Sequence, residues 1–382
     1  MQSQHTPFLI IGGGIAGLTL AIGLRKNGID ALIAEAAPEF KPVGAGLVLA
    51  ANAMKAYRVL GMNETIADAG NAINHFDILD HTGKLITSTA MDAVGDGTPN
   101  VAIHRAALHQ VLVNELNPEN IVNDFLSKEI SIVGDKYEVT FENGRSITCD
   151  YLISAEGIHS VVRDWVFPGS QLRYSGYTCW RGISDIVKGV PFDKATETWG
   201  PSGRFGIVPV GDGKVYWFAV KNGPENSEKL RSYNKADLIQ AFTDYHALVS
   251  QLIQHTHPET IIFNDIIDLK PIPRYAKGNM VLIGDAAHAT TPNMGQGACQ
   301  AIEDAVILAE CIKSQSTVAK AFETFEHKRL RRTHQIVNRS WTLGKIGQLK
   351  NRGLIKVRNL LLRSMPSSVN KKNIEKVYDF KL

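Results

Sequence analysis

An apolar run that breaks into three spaced glycines opens this chain: Phe8-Leu9-Ile10-Ile11, then Gly12-x-Gly14-x-x-Gly17. Short apolar runs bounded by glycine read as buried strands. Glycines at this spacing require that strand to turn sharply into a helix. Gly12 permits the tight turn, Gly14 has no Cβ to hold a pyrophosphate off the backbone, and Gly17 lets the helix lie close to the sheet. The helix is expected from Ile15 to about Gly28, with Leu18, Ala21, Ile22 and Leu24 on one face and Gly28 as its stop. Its first residues, Ile15 and Ala16, bring their N–H groups and the helix dipole to the phosphates. A second strand, Ala31 to Ala34, ends in Glu35 and Ala36. An acidic residue about 20 positions past the glycines holds a ribose hydroxyl. Glu35 also repels a 2′-phosphate, so this segment suits FAD or NAD and not NADP.

Far along the chain a second apolar strand, Met280 to Ile283, ends in Gly284-Asp285-Ala286-Ala287-His288. The first signature alone says only dinucleotide; the pair says FAD. Between them, segments of strand and helix bracket a strand-rich middle. Residues 75–90 alternate as a hairpin around His81-Thr82-Gly83-Lys84, and His104 to Leu116 reads as a helix. Residues 121–155 read as a meander. Arg204 to Val208 and Lys214 to Val220 read as strands joined at Gly211-Asp212-Gly213, followed by a helix near 235–246. The expected fold class is α/β. A discontinuous Rossmann-like FAD-binding domain (1–73, 101–172 and 274–340) carries an inserted, mostly antiparallel substrate domain (74–100 and 173–273). C-terminal helices occupy 341–382.

With 382 residues, 44% hydrophobic and 21% charged, the chain fits an ordinary globular protein of two domains. Its opening residues lack a signal-peptide pattern, and no apolar run reaches membrane-spanning length, so a cytoplasmic protein is expected. Cys149, Cys179, Cys299 and Cys311 show no metal or redox spacing and read as reduced packing residues. No H-E-x-x-H occurs, and neither a metal nor nucleic acid is expected as a partner. The net charge of +3 is unevenly spread, since residues 313–382 hold 17 Lys+Arg against 4 Asp+Glu.

Together these segments resemble the single-component, FAD-dependent aromatic monooxygenases of the para-hydroxybenzoate hydroxylase-like class, near their salicylate/urate hydroxylase and zeaxanthin epoxidase-like branch. The likeness runs from residue 8 to about 365. It rests on the fingerprint, on Gly284 to His288 with Pro292, Gly295-Gln296-Gly297 and Glu303-Asp304, and on a middle motif, Asp150 to Arg163. The resemblance implies that Asp285 binds the ribityl hydroxyls. It also implies that Gly295, Gly297 and Ala298 open a helix that stabilises reduced flavin. His288 is then structural rather than a base. His104-Arg105-Ala106-Ala107-Leu108 resembles a helix start whose arginine, Arg105, reaches the flavin or pyrophosphate. Pro42 to Leu47, with Gly46, resembles the segment beside the flavin ring. Ala36 and Leu126 complete the cofactor contacts. The middle motif departs from the pattern: Glu156 stands where the family has Asp, while Ser160 and Arg163 keep their places.

The family's reaction implies that NAD(P)H reduces FAD, that reduced flavin takes O₂ to a C4a-hydroperoxide, and that this oxygen is passed to a small aromatic or conjugated substrate. A single fingerprint leaves NAD(P)H to bind transiently. That, with the lack of C-x-x-C, argues against a disulfide reductase. The substrate is expected between flavin and middle sheet, near Arg181, Arg204, Tyr216 and Trp217. Similarity to urate hydroxylases around Arg204 to Val210 makes Arg204 the contact for an anionic edge and Tyr216 its support. A solvent-facing arginine and a core tyrosine is the other reading. Arg204, Gly206 and Val208 share a face, but the sequence does not say which way it looks. An epoxidase, a tetracycline-type hydroxylase, or a flavin oxidoreductase without oxygen insertion are the rival activities. A monomer or homodimer is expected. Ile346, Leu349, Val357, Leu360 and Leu361, interleaved with basic residues, are expected to pack against the catalytic body rather than a membrane.

Overall fold

The computed structural model describes residues 4–41, 44–91, 94 and 96–382. Gln4–Ile11, the fingerprint strand, lies parallel to Leu32–Ala34 on one side and Ser146–Ser154 on the other, with Ile10 opposite both Ile33 and Ile153. Ile121–Val122 and Met280–Leu282 extend the parallel sheet outward on the two sides. Leu9, Ile10, Ile33, Ile153 and Val281 are fully buried. At Phe8 to Ile11, Leu32 to Ala34 and Met280 to Leu282 neither face meets solvent, which is why these segments read as unbroken apolar runs rather than alternating ones. Ser127–Val133 and Lys136–Phe141 join Ser146–Ser154 as an antiparallel meander.

A second sheet of seven strands draws on residues 75–90 and 172–269. Its pairings are antiparallel except that of Lys194–Gly200 with His75–Asp80. The chain thus leaves the parallel sheet, builds an antiparallel one and returns: an α/β fold with a Rossmann-like sheet and an inserted antiparallel sheet. A small three-stranded sheet (Gly46–Leu49, Asn100–His104, Asn71–Ile73) completes the set.

The large sheet has two unlike faces. Phe205 stacks on Trp217 at 5.5 Å, and with Trp180 they form a core beneath Leu238, Phe242, Val249 and Leu252. Leu238 lies in the helix Lys235–Ala241, Phe242 caps its end, and Val249 and Leu252 lie in a second helix, Ala247–Gln254, where the sequence suggested a single helix near 235–246. The break follows from a tertiary anchor: the His246 N–H donates to the His81 carbonyl at 2.9 Å. Trp217 therefore belongs to this core, its Nε1–H donating to the Thr256 hydroxyl at 2.7 Å, and not to a substrate pocket. The opposite face carries Arg204, Val208 and Tyr216, because Arg204 pairs with Val220 and Val208 with Tyr216.

Val318–Gly347 is one long helix, followed by Arg352–Ser364 and Ser367–Tyr378. The expected packing of the C-terminal apolar residues is overturned. Ile346, Val357, Leu360 and Leu361 are exposed, Leu361 by 64%, and only Leu349 is half-buried. Ile355, Arg358 and Asn359 face inward instead. Their neighbours explain this: Arg358 lies 4.9 Å over the Trp199 ring and donates to the Ile346 and Gly347 carbonyls. An arginine satisfies those carbonyls and a leucine does not. Among the described residues no helix is long and apolar enough to cross a membrane. All four cysteines are free and buried.

Candidate active site

The fingerprint turn is held by glycine where the fold is tight and left open where a ligand belongs. Gly12 sits at φ +105°, and a Cβ there would lie 2.4 Å from the Ala155 carbonyl oxygen. A Cβ on Gly17 would lie 2.0 Å from the Gly12 carbonyl oxygen. The constraint on Gly17 is thus the turn itself more than the sheet. A Cβ on Gly14 would meet nothing within 4 Å. That open space fronts the N-terminus of Ile15–Lys26, where N–H groups without intrahelical partners gather. This is a cradle suited to a pyrophosphate. Ile15 and Ala16 are buried at its base.

Glu35 accepts from the Gly13 N–H at 2.6 Å and the Ala37 N–H at 2.8 Å, so its carboxylate is fixed at the mouth of the turn. Each oxygen retains a lone pair for a hydroxyl. Ala36 beside it is exposed, as is Leu126. The Phe125 N–H donates to the Glu35 carbonyl at 2.8 Å, which brings Leu126 to the same edge.

Asp285 follows Gly284, which adopts φ +60° and lies against Ala16 and Ala301. Asp285 is exposed to water, and the surrounding protein crowds its carboxylate. That crowding pushes its pKa up, while His288 and Arg105 pull it down. Arg105 starts the Arg105–Asn114 helix, and its N–H donates to the Ala45 carbonyl at 3.1 Å. His104 caps that helix, its Nδ1 accepting from the Ala106 N–H at 3.2 Å. Gly46 pairs with His104 across the small sheet. The Gly44–Gly46 segment, Arg105 and Asp285 therefore converge; Pro42 and Val43 lie outside the described residues. Gly295, at φ +62°, turns the chain into the Gly297–Ser314 helix, so that helix opens at Gly297 and Ala298 rather than at Gly295.

Beneath the cleft is a buried ion network that the sequence did not reveal. Asp304 accepts from the Gly284 N–H at 2.9 Å and from Arg329 Nε at 2.6 Å, and lies 2.6 Å from His288 Nε2. Glu303 pairs with Arg329 and, at 2.7 Å, with Arg332. Burial pushes both carboxyls up. It is outweighed by Arg329 and Arg332 at Glu303, and by His288 and Arg329 at Asp304, so both lie below the ordinary range. His288 is thus a buried partner of Asp304. The available signal is Glu303-Asp304 inside an apolar helix, a pair that cannot be buried without cations.

Glu156, the departure in the middle motif, is committed to its own loop. It accepts from Ser127, from Ser154 at 2.9 Å, from Ser160 at 2.6 Å and from the Val162 N–H at 3.1 Å. Arg163 closes the loop through the Ile158 carbonyl at 2.7 Å.

On the open face of the large sheet, Arg204 is buried. It donates to Glu197 Oε1 at 3.0 Å and to Asn293 Oδ1 at 2.6 Å, and its Nε–H has no protein acceptor. Tyr216 packs on the small sheet: a Cβ on Gly46 would lie 2.5 Å from the Tyr216 Cβ. Burial pushes the Tyr216 phenol up, against the lowering effect of Arg181. Arg204 and Tyr216 share a face but sit four register positions apart, about 13 Å along the strands. Neither Glu197 nor Asn293 carries a local sequence signal.

Known proteins similar to this chain show its family. The family described as FAD binding domain matches residues 5–340. Aurachin C monooxygenase/isomerase of Stigmatella aurantiaca is 40% identical, with 94% of each chain covered. The 2-heptyl-3-hydroxy-4(1H)-quinolone synthase of Pseudomonas aeruginosa is 32% identical over 97% of each chain. The crystal structure of Klebsiella pneumoniae HpxO complexed with FAD and uric acid superposes with a TM-score of 0.90 at 28% identity, covering 97% of each chain. The chain belongs to the FAD-binding-domain family and is an FAD-dependent monooxygenase.

Proposed function

We propose that this enzyme uses NAD(P)H to hydroxylate a neutral, largely apolar nitrogen heteroaromatic bearing a ring carbonyl, a 4-quinolone in type. The observation that carries the reading is Tyr216. Its hydroxyl feels the lowering effect of Arg181, but burial is the larger effect and keeps it protonated. Its own proton is thus available to a carbonyl oxygen at the seam between the seven-stranded sheet and the small sheet. Val208 and Val210 pack beside it, with Ile183 and Phe218. Arg204 is balanced by Glu197 and is less free to meet an anion. The names of two relatives, aurachin C monooxygenase/isomerase and 2-heptyl-3-hydroxy-4(1H)-quinolone synthase, support a quinolone.

In this reading the substrate unit (74–100 and 173–273) faces the cofactor unit (1–73, 101–172 and 274–340). Bound flavin supplies the redox chemistry, taking electrons from the nicotinamide cofactor and activating dioxygen. The Gly12–Gly17 turn and the helix N-terminus at Ile15 and Ala16 hold the pyrophosphate. Glu35, Ala36 and Leu126 hold the adenosine end. Asp285 and Arg105 hold the ribityl region, and Gly46 borders the ring. The N–H groups at Gly295, Gly297 and Ala298 stabilise negative charge on the ring system. Arg204 acts by position: through Asn293 it ties the large sheet to the loop before Gly295. Tyr216 orients the substrate's carbonyl.

The test is NADH and NADPH oxidation in air by the FAD-loaded enzyme with a 2-alkyl-4-quinolone, urate and salicylate, using isotopically labelled O₂. The expected result is faster oxidation with the quinolone and one labelled oxygen in the product. Efficient hydroxylation of urate but not the quinolone would reassign the substrate to the anionic class. Production of H₂O₂ alone with every compound would remove the hydroxylase reading.

A further inference from the structure

The Arg352–Ser364 helix is built inside out. Leu354, Val357 and Leu361, at the i, i+3, i+7 spacing of one helical face, are 55%, 55% and 64% exposed, with Leu360 beside them at 66%. Its inward face holds Arg358 and Asn359. The helix is firmly seated, so this face is not a frayed end. Asn351 accepts from the Gly353 and Leu354 N–H groups at 2.9 and 3.1 Å, Arg363 pairs with Asp80 at 3.2 Å, and Arg358 anchors the middle. Arg352, Lys356 and Arg363, four and seven residues apart, line one edge of the stripe, and the exposed Lys350 lies at its start. Residues 327–374 contain 13 Lys+Arg and no Asp or Glu.

We infer that this helix docks the enzyme on an anionic phospholipid bilayer, lying in the plane of the interface. At 13 residues it is too short to span, since a span needs about 20 apolar residues. An apolar stripe beside cations of one sign fits a surface that offers acyl chains and phosphate together. A second copy of the chain fits poorly. A twofold contact would set this face against itself and bring the like charges of Lys350, Arg352 and Lys356 together, Arg363 alone of these cations being paired with an acidic residue among the described contacts. The position is useful to the site. Arg358 covers Trp199, Trp199 pairs with Arg204 across the sheet, and a Cβ on Gly347, just before the helix, would lie 3.0 Å from the Arg204 Cδ. The docked helix is thus the outer wall of the proposed substrate face. The docking itself is independent of which ring is hydroxylated.

The experiment is co-sedimentation of FAD-loaded full-length enzyme with phosphatidylglycerol/phosphatidylcholine vesicles and with phosphatidylcholine alone. Wild type is expected to pellet with the anionic vesicles and lose at least about tenfold in partitioning on neutral ones. The exposed-surface variants Leu360→Gln/Leu361→Gln and Lys350→Glu/Lys356→Glu should each lose a similar factor while keeping flavin content and far-UV circular dichroism. Wild type that stays in the supernatant, binds both vesicles equally, or binds no better than either variant overturns the proposal. So does a wild-type dimer by light scattering that both variants dissolve without any vesicle binding, which would give the face to a second copy.

Discussion

Replacing Arg329 by methionine removes the cation at the centre of the network beneath the cleft. Arg329 is 1% exposed and faces Glu303 and Asp304, themselves 1% and 0% exposed. Methionine fills most of the stem's volume but leaves two carboxylates short of a partner. Glu303 keeps Arg332 and Asn52, and Asp304 keeps His288 and the Gly284 N–H. Breaking a buried pair from one side costs about 3–5 kcal/mol, a large share of a total near 5–15 kcal/mol. The expected fall in Tm is roughly 4–6 °C at neutral pH for a chain of this length. The sign of the pH dependence follows from the wild-type carboxyls. Burial pushes them up, the surrounding cations outweigh it, and both end below the ordinary range. Their stabilisation is therefore present above about pH 4 and lost as pH falls through the depressed values. Without Arg329 both should titrate higher. The variant can then neutralise a carboxylate by protonation, and its deficit should narrow between about pH 7 and pH 5. Thermal melts across that range, with flavin release followed in parallel, read both effects. A neutral-pH deficit below about 2 °C, or one that does not change with pH, would refute the reasoning. Arg329→Lys keeps the charge without the fork and should fall between.

Asp285→Ala should weaken FAD retention with little change in apoprotein Tm, whereas His288→Ala, which strips a buried partner from Asp304, should lower Tm more than it weakens FAD. Flavin titration and melts of the two apoproteins separate them, and equal flavin losses would mean the roles are misassigned. Gly14→Ala should leave apoprotein stability within about 0.5 kcal/mol, because its Cβ enters open space, yet cut FAD affinity at least about tenfold by filling the cradle. Gly12→Ala should instead destabilise the apoprotein, since its Cβ meets the Ala155 carbonyl at a positive φ; similar behaviour of the two variants would argue against the cradle. Tyr216→Phe should lower kcat/KM about tenfold or more with FAD binding intact, as expected for a lost hydrogen bond to substrate. Unchanged steady-state kinetics would make Tyr216 a packing residue.

The parallel unit is legible in the sequence because its constraints are local. Phe8 to Ile11 and Met280 to Ile283 are buried on both faces, so composition alone marks them, and Gly12 and Gly17 answer to atoms within the turn and the next strand. The sheet around Arg204 is legible only as strands. Which face looks toward the cofactor depends on Val208 meeting Tyr216 and on helices that cover Phe205, and none of this is written within a strand. Arg204's partners arrive from Glu197, Asn293 and the Gly347 turn, three separate parts of the chain. Arg329 and Arg332 sit in a basic stretch and read as surface charge until Glu303 and Asp304 are placed opposite. The Arg352–Ser364 helix shows the limit of periodicity. Spacing says that Leu354, Val357 and Leu361 share a face; it does not say that the fold seats Arg358 inward and turns that face outward.

The contact between Gly46 and Tyr216 shows why two weak signals gain meaning together. In the sequence Gly46 is a glycine suited to close backbone approach, and Tyr216 is an aromatic residue in a hairpin strand. In the fold the missing Cβ of the first is the space occupied by the second. The Tyr216 Cβ is held by the backbone of its own strand, so the clash that any side chain at Gly46 would create cannot be relieved by a rotamer change; the sheets themselves would have to part. The same strand edge is tied to Arg105 through the Ala45 carbonyl, and Arg105 faces Asp285. The groups proposed to hold the cofactor and the tyrosine proposed to orient substrate are therefore fixed to one short segment. Their separation is set by packed backbone rather than by flexible side chains, which is the rigidity that transfer of an oxygen atom to one ring position requires.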